Sequence, residues 1–455
     1  MLSRKPILSA VLVLCMAPLL KSDQAGDAAS PAMLTIDLQD ALSRARKYGA
    51  QIQTANIAAE IAHEDRRQAK AAALPSLNAL NQFIYTEGNG TPSGVFIAND
   101  GVHIYNEQAV VHQELFSLVR RGEIRRAAAL EAVARARADV AARGLNATVV
   151  QDYYAIASAE RKLKNAQLTL SESERFFDIT QKQEHGGEVA HADVIKAQLS
   201  VQQHQRDVQD AQLAVDKAKV ALGVLILPNL QQEYEIVDDL EKAVLLPTMP
   251  EALSQAAVTS PEVRAAQASV RESRLGVSVA RYAYLPSFAL DFFYGIDANQ
   301  FAARTDYPTQ ASGHVTLPQF EVTNRQNLGY VGQVTLTVPI WTWGSISSKV
   351  KQASLRERQA ELDLSVSQKQ AQADLATAYR EAQTASAELA SLRSSSELAA
   401  ESLRLTVLRY QAGEATALEV VDAQTTASQS RAGYSDGLLR YRVAVANLQI
   451  LTGNF

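Results

Sequence analysis

The chain has 455 residues, a formal net charge of −5 and one cysteine, Cys15. The acidic balance argues against a nucleic-acid partner, because phosphate backbones are bound by basic surfaces. A lone cysteine excludes an internal disulfide and a thiolate metal cluster. In chain order, residues 1–30 form a secretory signal. Arg4 and Lys5 precede an apolar stretch over 7–20, which is too short for a comfortable membrane span. Its removal leaves 41 basic and 47 acidic residues and no cysteine. Past Leu20 no apolar run reaches membrane-helix length; the longest notable one, 220–227, is broken by Gly223.

A first repeat is expected over 31–223. A helix over about 37–73 ends at Leu74, Pro75 and Ser76. Strands follow over about 77–116, with Leu80 and Ile84 facing opposite to Asn81 and Phe83, and with His112 and Glu114 in the return strand. Residues 118–184 contain no proline and place Val149, Ile156, Leu163, Leu170 and Phe177 seven apart. That is a coiled-coil seam, on a helix roughly 100 Å long at the α-helical rise. Gly186 and Gly187 end it, since glycine tolerates the left-handed turn that closes a helix. A second helix over about 189–222 completes a hairpin whose tip lies at about 184–190.

After a linker at 224–250 the chain repeats itself over 251–455. Ala252, Leu253 and Ser254 match Ala41, Leu42 and Ser43 at an offset of 211, as Leu285, Pro286 and Ser287 match Leu74, Pro75 and Ser76. Gly413 and Glu414 match Gly187 and Glu188 at an offset of 226. The second copy therefore carries an insertion, best placed in the polar stretch 299–327. Its helices are expected over about 251–284, 345–411 and 417–451, its strands over about 287–341 and its tip at about 411–417. On the long helix Leu375, Leu389 and Leu403 hold the seam, with Ala382 and Ser396 between them.

The second pair of strands has the clearer pattern. Phe288, Leu290, Phe292, Tyr294 and Ile296 alternate with a face that carries Asp291 and Asp297. Val334, Leu336, Val338 and Ile340 alternate with Gln333, Thr335 and Thr337. Apolar-out, polar-in alternation is the pattern of a membrane β-strand, which places Asp291 and Asp297 toward a lumen. Trp341 and Trp343 close the segment, where aromatic residues often meet a membrane interface. Four strands cannot close a barrel, since single-chain membrane barrels need about eight. Several copies must then share one.

Catalytic motifs are missing. His63 and Glu64 open like a zinc-protease helix, but Arg67 stands where the second histidine is required. The stretch 88–94 lacks the third glycine of a dinucleotide loop and suits an outer turn. His185 and His191 flank the first tip and are expected at the surface. Neither an enzyme nor a cofactor is expected.

Taken together, the duplicated helix–strand–strand–helix–helix unit, the two Leu-Pro-Ser joints and the tip glycines resemble the TolC-like outer-membrane factor family. The most specific stretch is 408–424, LRYQAGEATALEVVDAQ. The resemblance implies a mainly α fold with a membrane β-barrel: four strands per chain in a shared 12-stranded barrel of a homotrimer, above a coiled-coil tunnel in the periplasm. It implies an outer-membrane channel of a tripartite efflux or type I secretion system. The partners would be a periplasmic adaptor, an inner-membrane transporter and outer-membrane lipid. Residue by residue, it puts Glu419, Asp422, Tyr410 and Asp193 at the periplasmic aperture, and Gly187 and Gly413 at adaptor-contacting tips. Asp193 matches an acid that pairs with an arginine two residues after the second tip glycine; this chain has Ala415 there. Mutual repulsion among the aperture carboxylates is expected to oppose their ionisation. The alternative is a periplasmic coiled-coil structural or adaptor protein without a pore.

Overall fold

The computed structural model describes residues 34–86, 102–230, 232–242, 244, 246–299 and 328–453, with side chains for all but 84–86, 102–105, 256–259 and 297–299. The expected signal at 1–30 and nearly all of the expected insertion at 299–327 lie outside the described residues. The elements are β1 (Leu34–Ile36), α1 (Leu38–Tyr48), α2 (Ala50–Ala71), β2 (Ser76–Thr86), β3 (Val102–Phe116), α3 (Leu118–His185) and α4 (His191–Ile226). Then come β4 (Tyr234–Ile236), α5 (Met249–Thr259), α6 (Pro261–Tyr282), β5 (Ser287–Asn299), β6 (Leu328–Thr337), α7 (Ser345–Gln411) and α8 (Ala417–Thr452). Two helices, two strands and two helices thus occur twice in the same order.

Two helices expected to be continuous are each broken. The segment over 37–73 divides at Gly49, whose backbone is extended. A Cβ there would lie 2.5 Å from the Ala45 carbonyl oxygen. The segment over 251–284 divides at Ser260, whose hydroxyl caps α6, with Pro261 in its first turn. Proline fits that position because its missing N–H has no partner there anyway.

The four long strands form one antiparallel sheet in the order β2-β3-β5-β6. Its centre joins the two repeats, β3 against β5, with His112 opposite Asp291. The outer sides of its edge strands, β2 and β6, pair with no further described strand. On one face the register aligns Leu290 with Val334 and Phe288 with Leu336. Val334 and Leu336 are more than half exposed, so this apolar face lacks a partner among the described residues. In the first repeat Leu80 and Asn81 occupy opposite faces: Leu80 lies opposite Gln108, itself opposite Gly295, whereas Asn81 lies opposite Glu107, itself opposite Ile296. Leu80 therefore shares the row of the polar residues and Asn81 that of the apolar ones.

Below the sheet, α3 packs against α2, α4, α6 and α8, and α7 packs against α6 and α8. On α7 the seven-residue row holds: Leu375, Ala382 and Leu403 are buried and Leu389 and Ser396 half-buried. On α3 it drifts. Val149 and Ile156 are buried, but toward the tip burial moves to Thr169, Ser173, Phe176 and Thr180, leaving Leu163, Leu170 and Phe177 half-buried. A straight helix falls out of step with a seven-residue repeat by about 20° per heptad, and α3 faces several neighbours.

The main core sits midway, where β1 and β4 pair in parallel beside Leu145, Val149, Tyr153, Leu222 and Ile226. The expected linker therefore carries a strand. Tyr153 donates to the Val237 carbonyl at 2.8 Å. Arg442 of α8 is buried and donates to Asp239 at 2.7 Å and to the Tyr154 hydroxyl at 2.6 Å. Nearer the sheet, the buried Glu131 accepts from Arg66 at 3.0 Å, contacts His63 Nδ1 at 3.0 Å and pairs with Arg135. His63 and then Arg66 hold this carboxyl down at about 2. The segment that began like a zinc motif is thus a clasp between α2 and α3.

Candidate functional site at the hairpin tips

Both hairpins end in the same turn. At the first tip Gly186 N–H donates to Lys182 O at 3.1 Å, Gly187 N–H to Glu184 O at 2.9 Å and Glu188 N–H to Gln183 O at 2.9 Å. At the second, Ala412 N–H donates to Leu408 O at 3.1 Å, Gly413 N–H to Tyr410 O at 3.0 Å and Glu414 N–H to Arg409 O at 2.8 Å. Gly187 and Gly413 both have φ +76°, the left-handed geometry this helix stop requires. Three of the four carbonyls orphaned by each helix end are thereby satisfied.

The helix after the second tip is capped reciprocally. Glu419 N–H donates to Thr416 Oγ1 at 3.3 Å, and Thr416 N–H donates to Glu419 Oε1 at 3.1 Å. The spacing Thr-x-x-Glu is the capping-box signal and was readable in the sequence. Arg409 approaches Glu419 at 3.6 Å and also donates to the Glu414 carbonyl at 3.0 Å. The Thr416 backbone and hydroxyl, with Arg409, hold the Glu419 carboxyl below its ordinary range. Within one chain this runs opposite to the expected effect of carboxylate repulsion, because donors rather than acids are its nearest neighbours.

The phase of α8 fixes which acids are outside. Ala417, Val420, Gln424 and Ala427 are buried at helical spacing, whereas Glu419 and Asp422 are exposed. The two acids are one turn apart on one face. Asp193, at the matching place on α4, is half-buried and pairs with Lys196 of its own helix at 3.7 Å.

Tyr410 lies inside. It is 3% exposed and meets Phe176 of α3 edge to face at 5.0 Å between centroids. Burial raises its pKa, against the opposing effect of the neighbouring Thr180 hydroxyl. The structure thus buries Tyr410 behind the tip, leaves Asp193 half-buried on α4, and leaves Glu419 and Asp422 exposed. Asp291 stands far along the chain in the sheet, 2.6 Å from His112. Asp297 pairs in β5 opposite Asn106, and its side chain lies outside the described residues. Sequence reasoning missed Arg409 and the bidentate pair of Arg431 on α8 with Glu172 on α3, at 2.8 and 2.9 Å. Only the fold brings that pair together.

Against this geometry stand the comparisons. The family described as outer membrane efflux protein matches residues 41–226 and 252–454. No curated protein matches the chain in sequence. Among solved structures, a membrane protein from Pseudomonas aeruginosa superposes with a TM-score of 0.77 at 19% identity, covering 93% of this chain and 91% of that one. The CmeC outer membrane channel of Campylobacter jejuni gives 0.77 at 16% identity, covering 91% and 85%. The open state of the MtrE outer membrane channel of Neisseria gonorrhoeae gives 0.71 at 21% identity, covering 91% and 88%.

Proposed function

Because the chain belongs to the outer membrane efflux protein family, and so to the outer membrane, we propose that it is the exit duct of a tripartite efflux or type I secretion system. A periplasmic adaptor and an inner-membrane transporter would deliver substrate to it, and the duct itself supplies only a path. The observation that carries this reading is the open four-stranded sheet, with unpaired edges at β2 and β6 and an apolar face without a partner. In a membrane such edges must be paired, since unsatisfied backbone groups are too costly in hydrocarbon. Three copies joining β6 to β2 give a closed 12-stranded barrel. The repeats 31–223 and 251–455 then each supply two strands and one hairpin of the wall.

Apolar residues on the helices support the same assembly. Leu355, Leu362 and Val366 on α7, and Leu199, Val220 and Val224 on α4, are all more than half exposed. A solvated helix rarely shows such stripes; neighbouring copies would cover them. At the lower end, three copies of Glu419 and Asp422 surround a narrow opening, with Tyr410 and Asp193 packed behind it and Gly187 and Gly413 presented to the adaptor. Asp291 and Asp297 line the barrel. Mass measurement of the purified protein in nanodiscs tests the assembly: three copies support the duct, and a monomer with soluble, protease-sensitive strands refutes it.

A further inference from the structure

On the polar face of the sheet, one row breaks the pattern. Ser76, His112, Asp291 and Gln333 lie side by side across the four strands. The next row away from the helices brings Val110, Phe293 and Val331 together instead. Val331 is 60% exposed, and Val110 and Phe293 are half-buried. None of the three joins a core cluster of the described residues. Barrel lumens are lined by polar side chains, so an aromatic residue and two valines in register there call for an occupant.

The row beyond sets Gly295 opposite Gly329, and the two glycines differ. A Cβ on Gly295 would lie 2.1 Å from the Glu107 carbonyl oxygen, so the sheet's own packing excludes a side chain. A Cβ on Gly329 would meet nothing within 4 Å. The fold leaves room there and the sequence leaves it empty. Glycine inside a strand weakens it and often marks the close approach of a ligand. Paired, these two bare the backbone beside Phe293 and Val331 and form a step with an aromatic and an aliphatic wall.

Charge around the step has one sign. The four strands contain no lysine and no arginine. Asp291 stands one row from Phe293, its carboxylate 2.6 Å from His112. A neutral imidazole donating through Nδ1 orients that carboxylate without cancelling its charge. Glu114, one row nearer the helices, is already held by Arg120 at 2.8 Å.

Resting on the duct reading, we propose that Phe293, Val331 and the paired glycines, with Asp291 at the rim, form a weak binding site for lipophilic organic cations passing through the barrel. The ring attracts a cation through its π-face, valine and bare backbone accept the apolar body, and the carboxylate complements the charge. Acids without fixed cations on the strands disfavour an anion of the same shape. A neighbouring copy is not the occupant, because copies join at the strand edges while this face points into the lumen. Binding must be weak, since a duct needs its cargo to leave as readily as it enters.

Planar-bilayer recording of the reconstituted full-length protein, with benzyltrimethylammonium as the probe, tests the site. We expect reversible block by this probe. Block should be about tenfold weaker with tetramethylammonium, which lacks the apolar body, and weaker still with the anion benzenesulfonate. Phe293→Ser should weaken the block about tenfold. Phe293→Leu keeps an apolar side chain, loses the ring and should weaken it about threefold. Asp291→Asn should weaken it about fivefold. The unblocked conductance of each variant shows that it has folded and inserted; should Phe293→Ser fail there, Phe293→Leu decides. In Glu419→Gln/Asp422→Asn the block should persist, which separates this site from the tips. Unchanged block in the Phe293 variants overturns the proposal, as does block that vanishes with the tip acids alone. Equal block by benzenesulfonate overturns the choice of a cation. Inserted protein that never conducts overturns the duct reading itself.

Discussion

The two hairpin tips share a backbone and differ in everything attached to it. Three matching hydrogen bonds and one left-handed glycine close each turn. At the first, Glu184 reaches across to His191 at 2.5 Å, with the histidine well exposed, and Ala190 gives α4 no side-chain cap. At the second, the matching positions hold Tyr410 and Ala417, both buried, and Thr416 caps α8. The glycine sets the turn, and the side chains decide how tightly it is held. The first tip is stapled by a surface contact between Glu184 and His191, the second by an aromatic core and a capping box.

The contrast can be broken most severely at Tyr410. Tyr410→Ala removes a buried ring and should cost about 3–5 kcal/mol locally, seen as lost amide protection around the second tip in hydrogen exchange. Unchanged protection there would mean that the core behind the tip does not hold it. Next is Arg431→Ala, which frees Glu172 on α3 from α8. A bidentate, charge-assisted pair that is mostly buried contributes about 2 kcal/mol. Loss of the pair should raise exchange at both tips together, because it joins the two hairpins.

A smaller effect is expected from the cap. Thr416→Ala should cost about 1 kcal/mol and let the Glu419 carboxyl rise toward its ordinary range. The sign is fixed by the depressed folded value. The cap's contribution is present above the unfolded carboxylate range and fades as pH falls through Glu419's lowered one. Acidification should therefore loosen the second tip in the parent chain and less so in Thr416→Ala, as NMR titration of labelled glutamate would report. The smallest effect belongs to Glu184→Ala, about 0.5 kcal/mol or less, since a side-chain contact at the surface contributes little. A loss at the first tip equal to that of Tyr410→Ala at the second would erase the distinction.

Local signals carried much of this architecture. Leu-Pro-Ser marked both helix-to-strand joints, proline-free heptads marked α3 and α7, and Gly187 and Gly413 marked the turns, because each is a constraint on neighbouring residues. The breaks at Gly49 and Pro261 had local signals too, but helical composition on either side overrode them. Three-residue strands such as β1 and β4 carry no alternation to read, so their pairing appears only in the fold. Glu131 and Arg431 look like ordinary helix charges until partners 65 and 259 residues away arrive. That Glu419 and Asp422 share one exposed face was legible in their helical spacing. The burial of Tyr410 was not, since it depends on Phe176 from the other repeat.

The central claim is a duct with an acidic opening at its helical tips, and planar-bilayer recording of the reconstituted protein tests it most directly. The account predicts discrete channels that favour cations and are blocked by multivalent ones. In Glu419→Gln/Asp422→Asn the channels should persist with weaker selectivity and weaker block, because the ring of charge that concentrates cations is gone. Correctly inserted trimers that never conduct, or that conduct identically with and without the two acids, would contradict it.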